Sequence, residues 1–217
     1  MPPSSHRQAS IALAQLDPVM GELVERHGTM TSPAVVSVDR RFENLAESIA
    51  YQQLAGKAAA TIWGRVRALY ADDGPLDPMA VLATPEADLR AAGLSGAKTA
   101  AILDLAGHVA DGRLALDRTG RLDDEAVIEQ LVAVRGIGRW TAQMFLIFTL
   151  RRLDVWPVGD LGVRSGYGIA YGMSEPPGPK ELESMGESFR PYRSVAAWYC
   201  WRSADTPGLT GGELSTA

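Results

Sequence analysis

Apolar residues in this chain recur every three to four positions, and no run alternates with polar residues long enough to mark a strand, so the pattern predicts an all-α fold of about ten helices. Ile11 to His27 reads as one helix with a bend at Pro18, and Phe42 to Ala50 pairs with Lys57 to Tyr70 around a break at Gln52-Gln53-Leu54-Ala55-Gly56. Pro78 to Leu82 and Pro85 to Ala92 read as short helices. Gly93-Leu94-Ser95-Gly96 then opens a long one reaching about Asp111, with Lys98 at a phosphate or in solvent. A hairpin of helices spans 125–150, and 161–171, 179–189 and 192–203 complete the set. The polar, Gly/Pro/Ser-rich ends, 1–8 and 205–217, are expected to be disordered tails around one domain, 9–204.

Within the hairpin, Ala126, Ile128, Leu131, Val132 and Val134 lie at helical spacing after an acidic first turn, with Asp123 or Asp124 as N-cap. Gly136 supplies the left-handed residue that ends such a helix, and Gly138 lets the backbone approach a neighbour closely. A second apolar helix follows from Arg139 to about Leu150, and a helix start behind such a turn suits a phosphate. Twenty residues after Trp140, the Pro/Gly-framed loop 154–166 carries a lone carboxylate, Asp160, which also suits the N-cap of a helix beginning at Leu161.

Four segments in this order, IAYQQLAGKAAATIWGRV (Ile49 to Val66), VRGIGRWTA, VWPVGDLGVRSG and PYRSVAAWYCWR (Pro191 to Arg202), resemble the helix-hairpin-helix/Gly-Pro-Asp superfamily of DNA glycosylases. The nearest branch looks like the alkylation-repair, 3-methyladenine DNA glycosylase II type. The resemblance spans roughly residues 10–204. It implies two helical subdomains, discontinuous in sequence, with a cleft between them. The chain looks too short at its start for the N-terminal β-domain of some members.

The resemblance assigns catalysis to Asp160. Cleaving an N-glycosidic bond builds positive charge on the sugar, which a fixed carboxylate stabilises while orienting the attacking water. It aligns Trp140 with the position where strand-cleaving relatives carry a lysine. With no amine there, β-elimination is not expected, and the indole offers a stacking face for an electron-poor alkylated purine. Tyr51 and Trp156 join Trp140 as base-pocket candidates, out of a wider set with Trp63, Trp198, Tyr199 and Trp201. Gln53 or Leu54 would fill the gap left by an extruded base. The implied DNA contacts are Arg135, Gly136, Ile137, Gly138, Arg139, Thr141 and Arg164, the last within helical reach of Asp160 as well. A structural Na+ or K+ is implied on the backbone carbonyls of Val132, Val134 and Ile137, and no other cofactor. Arg193 and Ser194 are candidates to support the Asp160 loop.

Composition narrows the function further. The single cysteine, Cys200, rules out a four-cysteine iron–sulfur cluster and an internal disulfide, and His6, His27 and His108 are scattered rather than set at metal-ligand spacing. The net charge of −5 is unusual for a DNA binder. Leu131 to Gly168, however, carries five arginines against two aspartates, a local +3. No transmembrane run or signal core is evident, so a cytoplasmic, nucleoid-associated protein is expected; the resemblance implies a monomer acting on double-stranded DNA with alkylated bases. A non-catalytic damage sensor, or a glycosylase for hypoxanthine, ethenoadenine or uracil, would share this fold.

Overall fold

The computed structural model describes residues 5–70 and 74–205. Among them every regular element is helical. They form two compact units, one from 5–34 with 146–205, the other from 35–70 with 74–145, so the expected discontinuity in sequence holds.

In the first unit, α1 (His6–Leu16) and α2 (Pro18–His27) are separate helices, where one bent helix was expected. A residue before proline is driven out of the α region. Asp17 accordingly turns extended (φ −142°, ψ 123°), and its carboxylate caps α2 by accepting the Met20 N–H at 2.9 Å. The helix also starts earlier than the tail boundary at residue 8 allows, because Ser5 caps α1. Residues 1–4 and 206–217 of the two expected tails lie outside the described residues. The remaining elements are α10 (Leu161–Ala170), α11 (Pro179–Met185) with a 3-10 turn (Gly186–Phe189), and α12 (Arg193–Ala204). Nearly every residue of α12 is buried, and it packs on α10, α1 and α2. A Cβ on Gly166 of α10 would lie 1.7 Å from the Cys200 carbonyl oxygen, so only glycine permits this crossing.

The second unit contains α3 (Arg41–Tyr51), α4 (Gly56–Arg67), α5 (Pro78–Ala83), α6 (Glu86–Ala91), α7 (Gly96–Ala110), α8 (Asp124–Val132) and α9 (Arg139–Met144), with 3-10 turns at Val38–Arg40 and Thr119–Arg121. Helix α7 packs against α3, α5 and α6, and its Ile102, Leu105 and Ala106 are buried. Leu45, Ile49, Leu89 and Leu131 are among this unit's other fully buried side chains. The helix after the hairpin is shorter than its apolar run: α9 stops at Met144, and a π-helical turn follows at Phe145–Thr149, all but its first residue belonging to the first unit. Such turns are rare and tend to lie near functional positions. No described helix is long and apolar enough to cross a membrane.

Candidate active site

Asp160 is only 8 % exposed. It is the N-cap of α10: its Oδ1 accepts the Val163 N–H at 2.8 Å and the Trp201 Nε1–H at 2.9 Å. The same buried oxygen thus caps the helix and takes the indole N–H. The Trp201 ring stacks on Phe148 of the π turn, with centroids 5.8 Å apart. Gly162 makes room for the pair, since a Cβ there would stand 2.9 Å from Trp201 Cδ1 and 3.1 Å from Asp160 Oδ1. Cys200, adjacent to Trp201, is buried, and burial followed by the nearby Asp160 charge pushes its thiol well above the usual range. It is therefore a protonated packing residue.

The chain leading into Asp160 is tied at each step. The Asp160 N–H donates to the Pro157 carbonyl at 2.9 Å. Arg193 grips Asp154 with Nε on Oδ1 at 2.8 Å and Nη2 on Oδ2 at 3.1 Å. Ser194 Oγ accepts the Val155 N–H at 2.9 Å, and the Ser194 N–H donates to the Leu153 carbonyl. Arg193 and Ser194 thus hold the 153–155 segment, as their sequence position suggested. Trp156 is a correction: its ring is buried edge-on to Phe189, its Nε1–H donates to the Leu182 carbonyl at 2.8 Å, and Gly186 leaves space for it. It anchors the loop in the core and presents no face to a base. Arg164 Nε donates to the Pro177 carbonyl at 2.7 Å, which uses one of the five guanidinium N–H groups.

In the second unit the hairpin has the expected form. The Ile137 N–H closes a turn onto the Val134 carbonyl at 3.1 Å, with Gly136 left-handed (φ 79°). A Cβ on Gly136 would also stand 3.0 Å from the Ala101 Cβ of α7, whereas nothing lies near one on Gly138. Ile137 and Thr141 are both buried. The Arg135 N–H donates to Asp104 Oδ2 at 2.7 Å, and Arg139 pairs with Glu125 in solvent.

Trp140 is 45 % exposed, unlike the buried Trp63, Trp156 and Trp201. Tyr51 ends α3 and bonds Glu47; burial, then the Glu47 charge, raises its phenol pKa. The Leu54 N–H closes a turn onto the Tyr51 carbonyl at 3.2 Å, with Gln52 at φ −50°, ψ 130° and Gln53 at φ 58°. This is type II geometry, with glutamine where glycine is the easy choice. Leu54 is 40 % exposed. Lys98 Nζ donates to the Ala50 carbonyl at 2.7 Å, and burial lowers its pKa.

Sequence reasoning missed Trp201 as the donor to Asp160 and Gly162 as the space for it. The one sequence signal was a glycine in the first turn after the cap, which costs helix stability and so implies a close neighbour.

A Gly-rich hairpin between helices and a capped aspartate after it define a helix-hairpin-helix protein with a carboxylate site. Residues 46–191 match the HhH-GPD superfamily of base excision DNA repair proteins, and the chain belongs to that superfamily. It is similar to DNA-3-methyladenine glycosylase 1 of Schizosaccharomyces pombe, 31% identical over 95% of this chain and 91% of that one. The structure of that organism's 3-methyladenine DNA glycosylase Mag1, in complex with abasic DNA, superposes with a TM-score of 0.82 over 94% of this chain and 100% of the other. A DNA-3-methyladenine glycosidase from Bacillus halodurans matches with a TM-score of 0.81 at 37% identity, over 94% and 90% of the two chains.

Proposed function

We propose that this protein is a monofunctional DNA glycosylase that hydrolyses the N-glycosidic bond of alkylated purines, 3-methyladenine and 7-methylguanine first, in duplex DNA. Family membership and the named relatives support the glycosylase class. The observation that carries the mechanism is the buried Asp160 carboxylate, fixed by the Val163 N–H and the Trp201 indole. A carboxylate already fixed in place stabilises the developing sugar cation without reorganising when the bond breaks. It also orients the water that completes hydrolysis. Alkylation makes the base a good leaving group, so no second acid is required.

In this reading the hairpin holds a phosphate near Gly136 and Gly138, Trp140 stacks on the extruded base, and Gln53 or Leu54 fills the gap it leaves. A Na+ or K+ on the carbonyls of Val132, Val134 and Ile137 would add positive charge at the hairpin. The Val134 oxygen keeps a lone pair for it beyond its bond to the Ile137 N–H. The protein acts as a monomer.

Incubation with methylated duplex DNA tests the reading. Free 3-methyladenine and 7-methylguanine should appear, and the strand should break only after alkali. Base release with enzymatic nicking would contradict the monofunctional assignment, and no release would contradict the lesion class.

A further inference from the structure

Both turns assigned above to DNA, 52–54 and 134–137, are tied to one helix. Three residues of α7 spaced three apart, hence neighbours along the helix surface, meet them in order. Lys98 Nζ donates to the Ala50 carbonyl at the end of α3, at 2.7 Å. Ala101 stands against Gly136, leaving no space for a Cβ there. Asp104 Oδ2 accepts the Arg135 N–H at 2.7 Å. A fourth link joins the turns directly: Gln52 Nε2 donates to the Gly136 carbonyl at 3.0 Å across 84 residues of sequence.

Each link has a physical reason. The last carbonyls of a helix lack intrahelical donors and carry partial negative charge, so an ammonium group satisfies Ala50 and complements the α3 dipole. The Gln52 amide and the Asp104 carboxylate take one backbone group each from the hairpin. The turn they brace is poor in local stability, because Gln53 occupies a left-handed conformation that disfavours side chains. A strained residue persists where its surroundings over-determine it.

We infer that α7 is the register element of the DNA-facing surface, with Lys98, Gln52 and Asp104 as positioning residues that hold the Gln53–Leu54 turn at a fixed offset from the hairpin. Fixing that offset sets how far along the duplex the gap-filling side chain enters relative to the gripped phosphate. The inference rests on the reading of 52–54 as the gap-filling turn.

The test compares Lys98→Met, Lys98→Arg and Gln52→Ala with Gln53→Ala and Leu54→Ala. Single-turnover release of 7-methylguanine is measured alongside affinity for undamaged duplex, melting temperature, and fluorescence of a 2-aminopurine placed opposite the lesion. Lys98→Met and Gln52→Ala should each slow release about tenfold, the effect of one lost hydrogen bond. The 2-aminopurine signal should fall with the rate while undamaged-duplex affinity holds. Lys98→Arg should recover most of the rate, and combining Gln52→Ala with Leu54→Ala should cost little beyond Leu54→Ala, because the two act through one turn. Wild-type rates in Lys98→Met and Gln52→Ala beside impaired Leu54→Ala or Gln53→Ala would overturn the bracing role. So would losses that track melting temperature and add fully to that of Leu54→Ala. If neither Gln53→Ala nor Leu54→Ala changes release, the gap-filling reading falls and the inference with it.

Discussion

Among single residues, Asp160 and the groups that hold it matter most to the proposed chemistry. Trp201→Phe keeps the ring stacked on Phe148 but removes the indole N–H from Oδ1. A hydrogen bond to a charged group contributes about 1.5–3 kcal/mol, so excision should fall roughly ten- to hundredfold with DNA affinity retained, as single-turnover kinetics and a binding titration would show. Gln53→Gly separates function from fold. A side chain at positive φ costs about 1 kcal/mol, glycine's extra chain entropy returns about 0.5–1, and melting should therefore shift by only a few tenths of a kcal/mol while excision drops if Gln53 enters the duplex. The residues legible in the sequence were those with short-range signals: Asp160 precedes its own helix, and Gly136 follows another. Trp201 was visible only as an aromatic, because its partner lies 41 positions away and nothing local encodes that pairing. Trp156 was misread for the same reason, since an indole satisfied by the Leu182 carbonyl has the same sequence appearance as one facing a ligand.

At the scale of elements, periodicity gave helix existence well and helix ends less well. Pro18 was read as a bend, but a proline constrains the residue before it, and Asp17 both leaves the helix and starts the next. The π turn at Phe145–Thr149 left no mark on the apolar run, because widening a helix changes hydrogen bonding and not hydrophobicity. The crossing of α10 and α12 predicts a graded response to added methyl groups. Gly166→Ala strikes a backbone carbonyl that no rotamer change can relieve, and should destabilise by about 3 kcal/mol or prevent folding. Gly162→Ala strikes the Trp201 ring and Asp160, which can shift, and should cost activity more than melting temperature. Circular dichroism melts and excision rates on both variants separate the two outcomes.

At the scale of the whole molecule, charge and protonation set the working range. With a net charge of −5 and Glu125 paired to Arg139, the positive charge facing phosphates is small. If roughly two to four phosphates are neutralised, the logarithm of affinity should fall against that of salt concentration with a slope of about −2 to −4. A binding titration over salt concentration would read it. His6 is buried in the first unit with Nδ1 on Ser32 Oγ, and burial, then the Arg151 charge, pushes its pKa from 6.5 down to about 4. Above pH 6.5 the ring is neutral in both states and its contribution is complete. Below that, the unfolded chain takes up a proton the folded protein refuses, so stability should decline from pH 6.5 toward 4. Melts at stepped pH should show this decline in the wild type and a flatter one in His6→Asn.

If the capped Asp160 carboxylate performs the proposed hydrolysis, wild type and Asp160→Asn must differ on methylated duplex DNA. Asparagine keeps an oxygen for the Val163 N–H and the Trp201 indole, so fold and binding should survive. Release of 3-methyladenine and 7-methylguanine by the wild type is expected, with a loss on the order of 100-fold or more in the variant and binding intact. Comparable release by both proteins would contradict that role for Asp160.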